Sequence, residues 1–248
     1  MSPFPARPSA APFVQWRVSA LLTMVLLLVG GGLWAAASGA TNAQPIPAPA
    51  IDEPAGQRTS EVAVLAGGCF WGVQGVFQHV TGVTNAVSGY AGGSEATAHY
   101  EIVSTDTISH AESVRITFDP RRISFGRLLQ IYFSVAHDPT ELNRQGPDDG
   151  TQYRSAIFPQ SEEQARVAAA YIAQLGQAHV FAAPIVTRIE PGKAFYPAEA
   201  YHQNYLTENP NSPYIVINDM PKLAALKRVF PTLYRPDPVL VAQADVSR

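Results

Sequence analysis

The chain has 248 residues, of which 46% are hydrophobic, with a formal net charge of -3 and a single cysteine. This size allows one domain with a substantial hydrophobic core, and the nearly balanced charge gives no indication of a nucleic-acid partner. A single cysteine excludes an internal disulfide and every zinc or iron–sulfur motif that requires several cysteines.

Residues 1–43 have the composition of a signal peptide or an N-terminal membrane anchor. Arginines precede an apolar run at 18–37 and small residues follow it, so we expect cleavage after Ala40 or Ala43. The run is also long enough to cross a bilayer, which leaves membrane association through 18–37 as the alternative. The sequence therefore predicts an exported protein of the periplasm or envelope, or one anchored to the inner membrane.

Three regions follow this leader. Residues 44–60 are rich in Pro and Ala, which predicts an extended, solvated linker. Residues 61–235 contain the periodic apolar patterns and are predicted to form the folded domain. Residues 236–248 are expected to be a C-terminal tail.

The folded domain alternates between strand and helix patterns. Short apolar or alternating runs predict strands at 61–68, 84–93, 112–118, 155–158 and 184–190. Helical spacing, with Ser161 as an N-cap, predicts helices at 71–80, 124–136, 161–176, 198–206 and 222–230. The polar segment 137–153 predicts a loop. Because the order has no strict βαβ rhythm, we expect a single α+β domain.

The stretch AGGCFWGVQGVF at 66–77 places Cys69 where a predicted strand turns into a helix. The flanking glycines leave room for a ligand to approach the backbone, and a helix N-terminus favours thiolate over thiol. Cys69 is therefore a candidate reactive thiol, with a buried structural cysteine as the alternative. The neighbouring Phe70 and Trp71 are candidates either for core packing or for the walls of a binding site.

Glu112 begins an alternating strand and shares a face with Val114, Ile116 and Phe118. A carboxyl group on an apolar face has a raised pKa, which makes Glu112 a candidate proton donor near neutral pH. The alternative is a glutamate at the end of a strand, paired with an arginine.

The loop at 137–153 carries three side chains that can donate or accept hydrogen bonds, Asp148, Asp149 and Tyr153. Loops of this composition are often only solvated. These residues gain functional interest if the fold brings them to Cys69, and sequence spacing leaves that question open.

The ordered motifs of this chain resemble those of the A-type peptide methionine sulfoxide reductases. They are GCFWG at 68–72, GYAGG at 89–93, HYE at 99–101, HAESVRITFDP at 110–120, HDPT and NRQG within 137–146, DDGTQYRSAIF at 148–158 and FYPAEAYHQNYL at 195–206. The resemblance covers most of residues 61–210. It implies reduction of methionine-(S)-sulfoxide, free or in proteins. It also implies a mixed central β-sheet flanked by helices, a ferredoxin-like elaboration. We expect the protein to be a monomer, although the sequence does not give the oligomeric state.

Matching positions give the resemblance its implied residue roles. Cys69 is implied to be the nucleophile and Glu112 the acid that protonates the sulfoxide oxygen, leaving a sulfenic acid on Cys69. No metal and no prosthetic cofactor are implied. The substrate-binding positions comprise aromatic walls for the methyl group, phenols for the oxygen and an aspartate that orders the site: Phe70, Trp71, Tyr100, Tyr153 and Asp148.

The sequence departs from the family pattern in its cysteines. Many members carry further cysteines near the YEIV segment or in the C-terminal tail, whereas here Ser104 follows EIV and the tail has none. We therefore expect an external thiol, such as thioredoxin, a glutaredoxin-type thiol or dithiothreitol, to reduce Cys69 directly. Pro147 also stands where asparagine is common, which stiffens the loop before Asp148.

Two other functions fit parts of the sequence. A cysteine hydrolase would use Cys69 activated by His202 or His110, and it requires an imidazole bonded to the thiol. Trp71 next to the nucleophile would crowd an acyl group in such an enzyme. A non-catalytic binding module would instead capture oxidised methionine without turnover.

Overall fold

A computed structural model describes residue 43 and residues 45–54, 56–107 and 109–242. The predicted leader, apart from Ala43, lies outside the described residues, as does the end of the predicted tail. Within the described ranges, no helix combines the length and the apolar character needed to cross a membrane.

The described part of the chain forms strands and helices in alternation. The strands are β1 (Glu61–Gly67), β2 (Val83–Ala91), β3 (Ala111–Phe118), β4 (Arg144–Gln145), β5 (Asp148–Asp149), β6 (Ser155–Phe158), β7 (Arg188–Ile189) and β8 (Phe195–Pro197). The helices are α1 (Phe70–Gln78), α2 (Tyr100–Val103), α3 (Phe125–Ile131), α4 (Glu162–Gln177), α5 (Tyr205–Glu208) and α6 (Met220–Val229). π-Helical turns follow α3 at Tyr132–Ala136 and precede α6 at Ile215–Asp219.

The larger sheet has the strand order β7-β6-β1-β3-β2-β8. Its neighbouring strands are antiparallel except for the parallel pair β6 and β7, so the sheet is mixed. One face packs against α1, α3, α4 and α6 in the main hydrophobic core. Val114, Ile116 and Phe118 are fully buried in that core, which confirms the phase predicted for β3. The expected α+β domain with a mixed central sheet is confirmed.

Several short elements differ from the sequence prediction. The predicted loop contains the β4–β5 hairpin, and of the strand expected at 184–190 only β7 forms. The helix expected at 198–206 is a 3₁₀ turn, Ala200–His202, followed by α5. α2 and β8 were not predicted. Elements this short depend on tertiary hydrogen bonds, which local periodicity does not reveal.

The predicted linker is extended and mostly exposed, and over residues 46–52, which we call the strap, it is also bound to the folded domain. The carbonyl groups of Ile46 and Pro47 accept hydrogen bonds from Gln130 Nε2 and Tyr171 Oη, both at 2.6 Å. Ile46 is also buried in the main core. Polar side chains of α3 and α4 therefore satisfy the strap's backbone and hold it against the domain.

The folded domain also extends beyond the predicted boundary at residue 235. Val239 N donates to Gln78 O at 3.0 Å, which attaches this segment to the end of α1. Val241 N donates to Asn204 Oδ1 at 2.9 Å, and Val241 is buried. The first residues of the predicted tail therefore belong to the folded domain.

Candidate active site

Cys69 lies at the turn between β1 and α1 and occupies the N-cap position of α1. The preceding Gly68 has a φ of 85°, and a Cβ at this position would lie 2.4 Å from Gln145 Cγ. Only glycine combines that backbone conformation with such close packing. Cys69 is 8% exposed and lines a cavity together with Asp148, Tyr214 and other residues of the 137–148 and 214–222 segments.

Glu112 lies on β3, on the face that packs against the helices, and is only 4% exposed. Its Oε2 accepts a hydrogen bond from Phe70 N at 3.0 Å, so its partner is a backbone group rather than an arginine. Burial, with smaller contributions from Asp148 and Asp219, raises the pKa of Glu112 to about 8, although the Phe70 N–H opposes the shift. The carboxyl group is therefore mostly protonated at neutral pH, as its strand phase predicted.

The surroundings of Cys69 oppose ionisation of its thiol. Burial raises its pKa well above the ordinary value, and the carboxyl groups of Glu112, Asp219 and Asp148 act in the same direction. A hydrogen bond from the Trp71 N–H opposes them. Burial and the acidic neighbours therefore act against the thiolate that the helix N-terminus is expected to favour.

The aromatic residues beside Cys69 form a cluster centred on His202. The Phe70 ring lies 5.0 Å from the His202 ring, and the Tyr100 ring lies 4.6 Å from it. Trp71 Nε1 donates to His202 Nδ1 at 3.2 Å, and the indole stacks on Tyr205 with 3.8 Å between ring centroids. Phe70 is buried whereas Trp71 is partly exposed, so Trp71 lies between the core and the solvent.

Tyr100 and Tyr153 face the same acidic region from two different elements. Tyr100 begins α2, and Tyr153 ends the 3₁₀ turn before β6. Burial raises the pKa of both phenols, and Glu112 and Cys69 contribute electrostatically to each. Both hydroxyl groups therefore remain protonated and able to donate hydrogen bonds near Glu112.

Asp148 lies on the β4–β5 hairpin and accepts a hydrogen bond from the Tyr214 hydroxyl group. Burial raises its pKa. Asp149 is exposed and lies outside the set of residues that line the cavity. Of the three polar residues singled out on this loop, the structure thus brings Asp148 and Tyr153 to Cys69 but not Asp149.

The C-terminal segment contributes residues that sequence reasoning did not identify. Tyr214, Asn218 and Lys222 line the cavity of Cys69, and Asp219 acts on its thiol. No spacing motif links this segment to Cys69, so a local sequence signal was lacking. Among the described residues, no group of three or more His, Cys, Asp or Glu side chains is arranged to hold a metal ion.

Comparison with known proteins decides the family. The model of the family described as peptide methionine sulfoxide reductase matches residues 61–232. The chain belongs to this family. It is 62% identical over 185 residues to peptide methionine sulfoxide reductase MsrA 2 of Mesorhizobium japonicum, covering 75% of this chain and 95% of the relative. It is 50% identical to MsrA 2 of Synechocystis, covering 70% of this chain and 81% of the relative.

Solved structures of this reductase family share the fold. Methionine sulfoxide reductase A of Corynebacterium diphtheriae has a TM-score of 0.53 at 32% identity, covering 68% of this chain and 85% of that one. Reduced Mxr1 from Saccharomyces cerevisiae has the same TM-score at 33% identity, covering 64% of this chain and 91% of that one. The A-type assignment and the reduction of peptide methionine sulfoxide therefore apply to this chain.

Within this reductase, each of the two histidines that could activate Cys69 in a cysteine hydrolase has another partner. His202 Nδ1 accepts the hydrogen bond from the Trp71 indole. His110 Nε2 bonds to Ser94 O at 2.9 Å, and its Nδ1 accepts from Gly93 N at 3.3 Å. Neither ring forms the thiol–imidazole bond that hydrolysis by Cys69 would need.

Proposed function

We propose that Cys69 is the nucleophile that reduces methionine-(S)-sulfoxide, with Glu112 as the proton donor. The observation that carries the proposal is a single buried thiol next to a carboxyl group whose pKa is raised to about 8. Sulfur in a sulfoxide accepts a thiolate more easily when its oxygen is protonated, because the oxygen then leaves with its proton. A carboxylate would have no proton to give.

The first step transfers oxygen from the substrate to the enzyme. The Cys69 thiol gives up its proton as its sulfur bonds to the sulfoxide sulfur, and with this proton and the one from Glu112 the substrate oxygen leaves as water. The water then attacks the Cys69 sulfur and breaks the new sulfur–sulfur bond, which releases methionine and returns a proton to Glu112. The net change converts one thiol and one methionine sulfoxide into methionine and a sulfenic acid on Cys69. Methionine sulfur is reduced by two electrons and Cys69 sulfur is oxidised by two.

The substrate's methyl group and oxygen require opposite surroundings. We assign the methyl group to Phe70 and Trp71, whose rings offer apolar surface. We assign the oxygen to the hydroxyl groups of Tyr100 and Tyr153, which stay protonated. Fixed places for the methyl group, the oxygen and the attacking thiol distinguish the two sulfur epimers.

An external thiol completes the cycle, because the chain has no second cysteine. The thiol attacks the sulfenic acid and releases water, leaving a mixed disulfide on Cys69. A second thiol breaks that disulfide and restores Cys69. Thioredoxin, a glutaredoxin-type thiol and dithiothreitol all have the required chemistry.

The proposed setting is repair of oxidised exported proteins by a monomer. The support is the basic, apolar and small-residue order of residues 1–43. Cleavage releases the enzyme into the periplasm or envelope, and the uncleaved alternative anchors it to the inner membrane through residues 18–37. The mass of the mature N-terminus in its native host distinguishes the two.

The assay that tests the proposed chemistry follows methionine release from mixed epimers with dithiothreitol present. We expect the S epimer to disappear and the R epimer to remain. Cys69→Ser, a nearly isosteric change, should abolish the activity while leaving the circular dichroism spectrum and thermal transition unchanged. Substantial turnover by the folded Ser variant, or equal loss of both epimers, would overturn the assignment.

A further inference from the structure

Asp219 and Lys222 form a buried ion pair beside the catalytic cavity. Lys222 Nζ lies 3.1 Å from Asp219 Oδ1, and the two side chains are 10% and 0% exposed. Lys222 lines the same cavity as Cys69. The second carboxyl oxygen of Asp219 is buried and has no hydrogen-bond partner among the described residues. A carboxyl group in this position is costly to bury, so its location calls for an explanation.

The pair lies directly over the first turn of α1. A Cβ on Gly72 would be 2.0 Å from Asp219 Oδ1 and 2.9 Å from Lys222 Nζ. Because Gly72 has no side chain, the carboxyl group reaches the helix end that Cys69 caps. The packing of α6 against α1 thus brings a negative charge to the place where the free N–H groups of a helix attract anions.

That placement has a direct consequence for the thiol. A carboxylate at the start of α1 repels a second negative charge on Cys69, and Asp219 raises the pKa of Cys69 accordingly. Burial raises the pKa of Asp219 itself, whereas Lys222 opposes that shift and so favours the charged carboxylate. The ion pair with Lys222 therefore counteracts the effect of burial on the Asp219 carboxyl group.

We propose that Asp219, held by Lys222, is a positioning residue that keeps Cys69 as the neutral thiol in the free enzyme. The inference rests on the proposed role of Cys69 as nucleophile. A thiolate is the form that oxidants attack, and over-oxidation beyond the sulfenic acid is irreversible for most cysteines. A reductase with one cysteine has no internal thiol to intercept the sulfenic acid, so an uncharged resting thiol protects it.

Charged and titratable groups approach Cys69 from several elements. They are Glu112 from β3, Tyr100 from α2, His137, Asp138 and Asp148 from the loop and hairpin after α3, Tyr153 from the turn before β6, and Tyr214, Asp219 and Lys222 from the C-terminal segment. Of the three carboxyl groups that raise the pKa of Cys69, Glu112 and Asp148 belong to the proposed catalytic site. Asp219 is the one to which the proposed function assigns no role.

The test measures alkylation of Cys69 by iodoacetamide as a function of pH in the full chain. Asp219→Asn should move the midpoint to lower pH, and a shift of one pKa unit would give about tenfold more thiolate at neutral pH. The midpoint is the decisive readout, because the intrinsic nucleophilicity of a thiolate falls as its pKa falls. Asp219→Asn should also lose activity faster in hydrogen peroxide.

Two further variants separate electrostatics from structure. Asp138→Asn removes a carboxyl group that lines the cavity but is not among the main groups acting on Cys69, and it should retain the wild-type midpoint. The double variant Asp219→Asn with Lys222→Met removes both charges, and it should also have a lowered midpoint. If Asp219→Asn alone fails to fold, the alkylation midpoint of the double variant tests the inference instead.

A wild-type midpoint in the folded variants that lack Asp219 would overturn the inference, and so would an equal shift in Asp138→Asn. Because alkylation is read without turnover, this failure is distinct from failure of the proposed function. The latter would appear as activity in Cys69→Ser.

Discussion

At the residue scale, the proposed chemistry depends on a carboxyl group that stays protonated near neutral pH. Glu112 meets this requirement because it is buried on the apolar face of β3. Glu112→Gln keeps the size and polarity of the side chain but removes the transferable proton. The rate of methionine release in a single turnover should fall by roughly the 10²–10⁴-fold typical of a lost general acid.

The same variant tests the protonation state through stability. The pKa of Glu112 is about 8 in the folded protein against an ordinary value of 4.5, so between these values the native state holds a proton that the unfolded chain has lost. The wild-type free energy of unfolding should therefore fall with rising pH across this window, relative to Glu112→Gln, by up to about 1.4 kcal/mol per pH unit. Urea denaturation of both proteins at several pH values measures this difference.

Glu101→Gln is the matched control, since Glu101 follows Tyr100 on α2 but is exposed. It should leave both the rate and the pH dependence unchanged. A Glu112→Gln enzyme with near-normal turnover would mean that another group supplies the proton. Stability differences that do not change with pH would mean that Glu112 is not protonated in the folded state.

At the element scale, the strap fixes the start of α3. Asp52 accepts hydrogen bonds from Gly126 N at 2.8 Å and from the Ser124 hydroxyl group. Asp52→Ala removes both acceptors and should lower the free energy of unfolding by about 0.5–2 kcal/mol, the range measured for helix N-caps. Activity should be unchanged, because the strap's hydrogen-bond partners do not line the Cys69 cavity.

Chemical denaturation and the methionine-release assay measure the two effects of Asp52→Ala separately. Asp52→Asn is the control, because its amide oxygen still accepts one hydrogen bond, and it should lose less stability than the Ala variant. An Ala variant as stable as the wild type would show that the strap contributes nothing to α3.

The sequence alone predicted those elements whose own residues show a clear hydrophobic or glycine pattern. The alternation of β3 predicted the buried face of Glu112, and the glycines around Cys69 predicted the turn from β1 to α1. The raised pKa of the Cys69 thiol could not be predicted, because burial is its main cause and the carboxyl groups of Glu112, Asp219 and Asp148 reach Cys69 only through tertiary packing. The attachment of the strap to the domain could not be predicted for a similar reason. Its composition indicates an extended chain, but not whether side chains elsewhere in the chain bind it.

At the scale of the whole molecule, the single thiol determines how the catalytic cycle ends. With one cysteine in the chain, an oxidised Cys69 has no internal thiol to attack it. The enzyme should therefore stop after one turnover when no external thiol is present. The single-turnover limit therefore depends on three parts of the account together: Cys69 as the nucleophile, the sulfenic acid as its product, and the need for an external reductant.

The most direct test mixes reduced enzyme with excess methionine sulfoxide in the absence of any thiol and counts the methionine released. The account predicts one methionine per enzyme molecule. It also predicts a dimedone adduct at Cys69 and recovery of activity when dithiothreitol is added. A burst well above one equivalent would contradict it, because some group other than an external thiol would then be restoring Cys69.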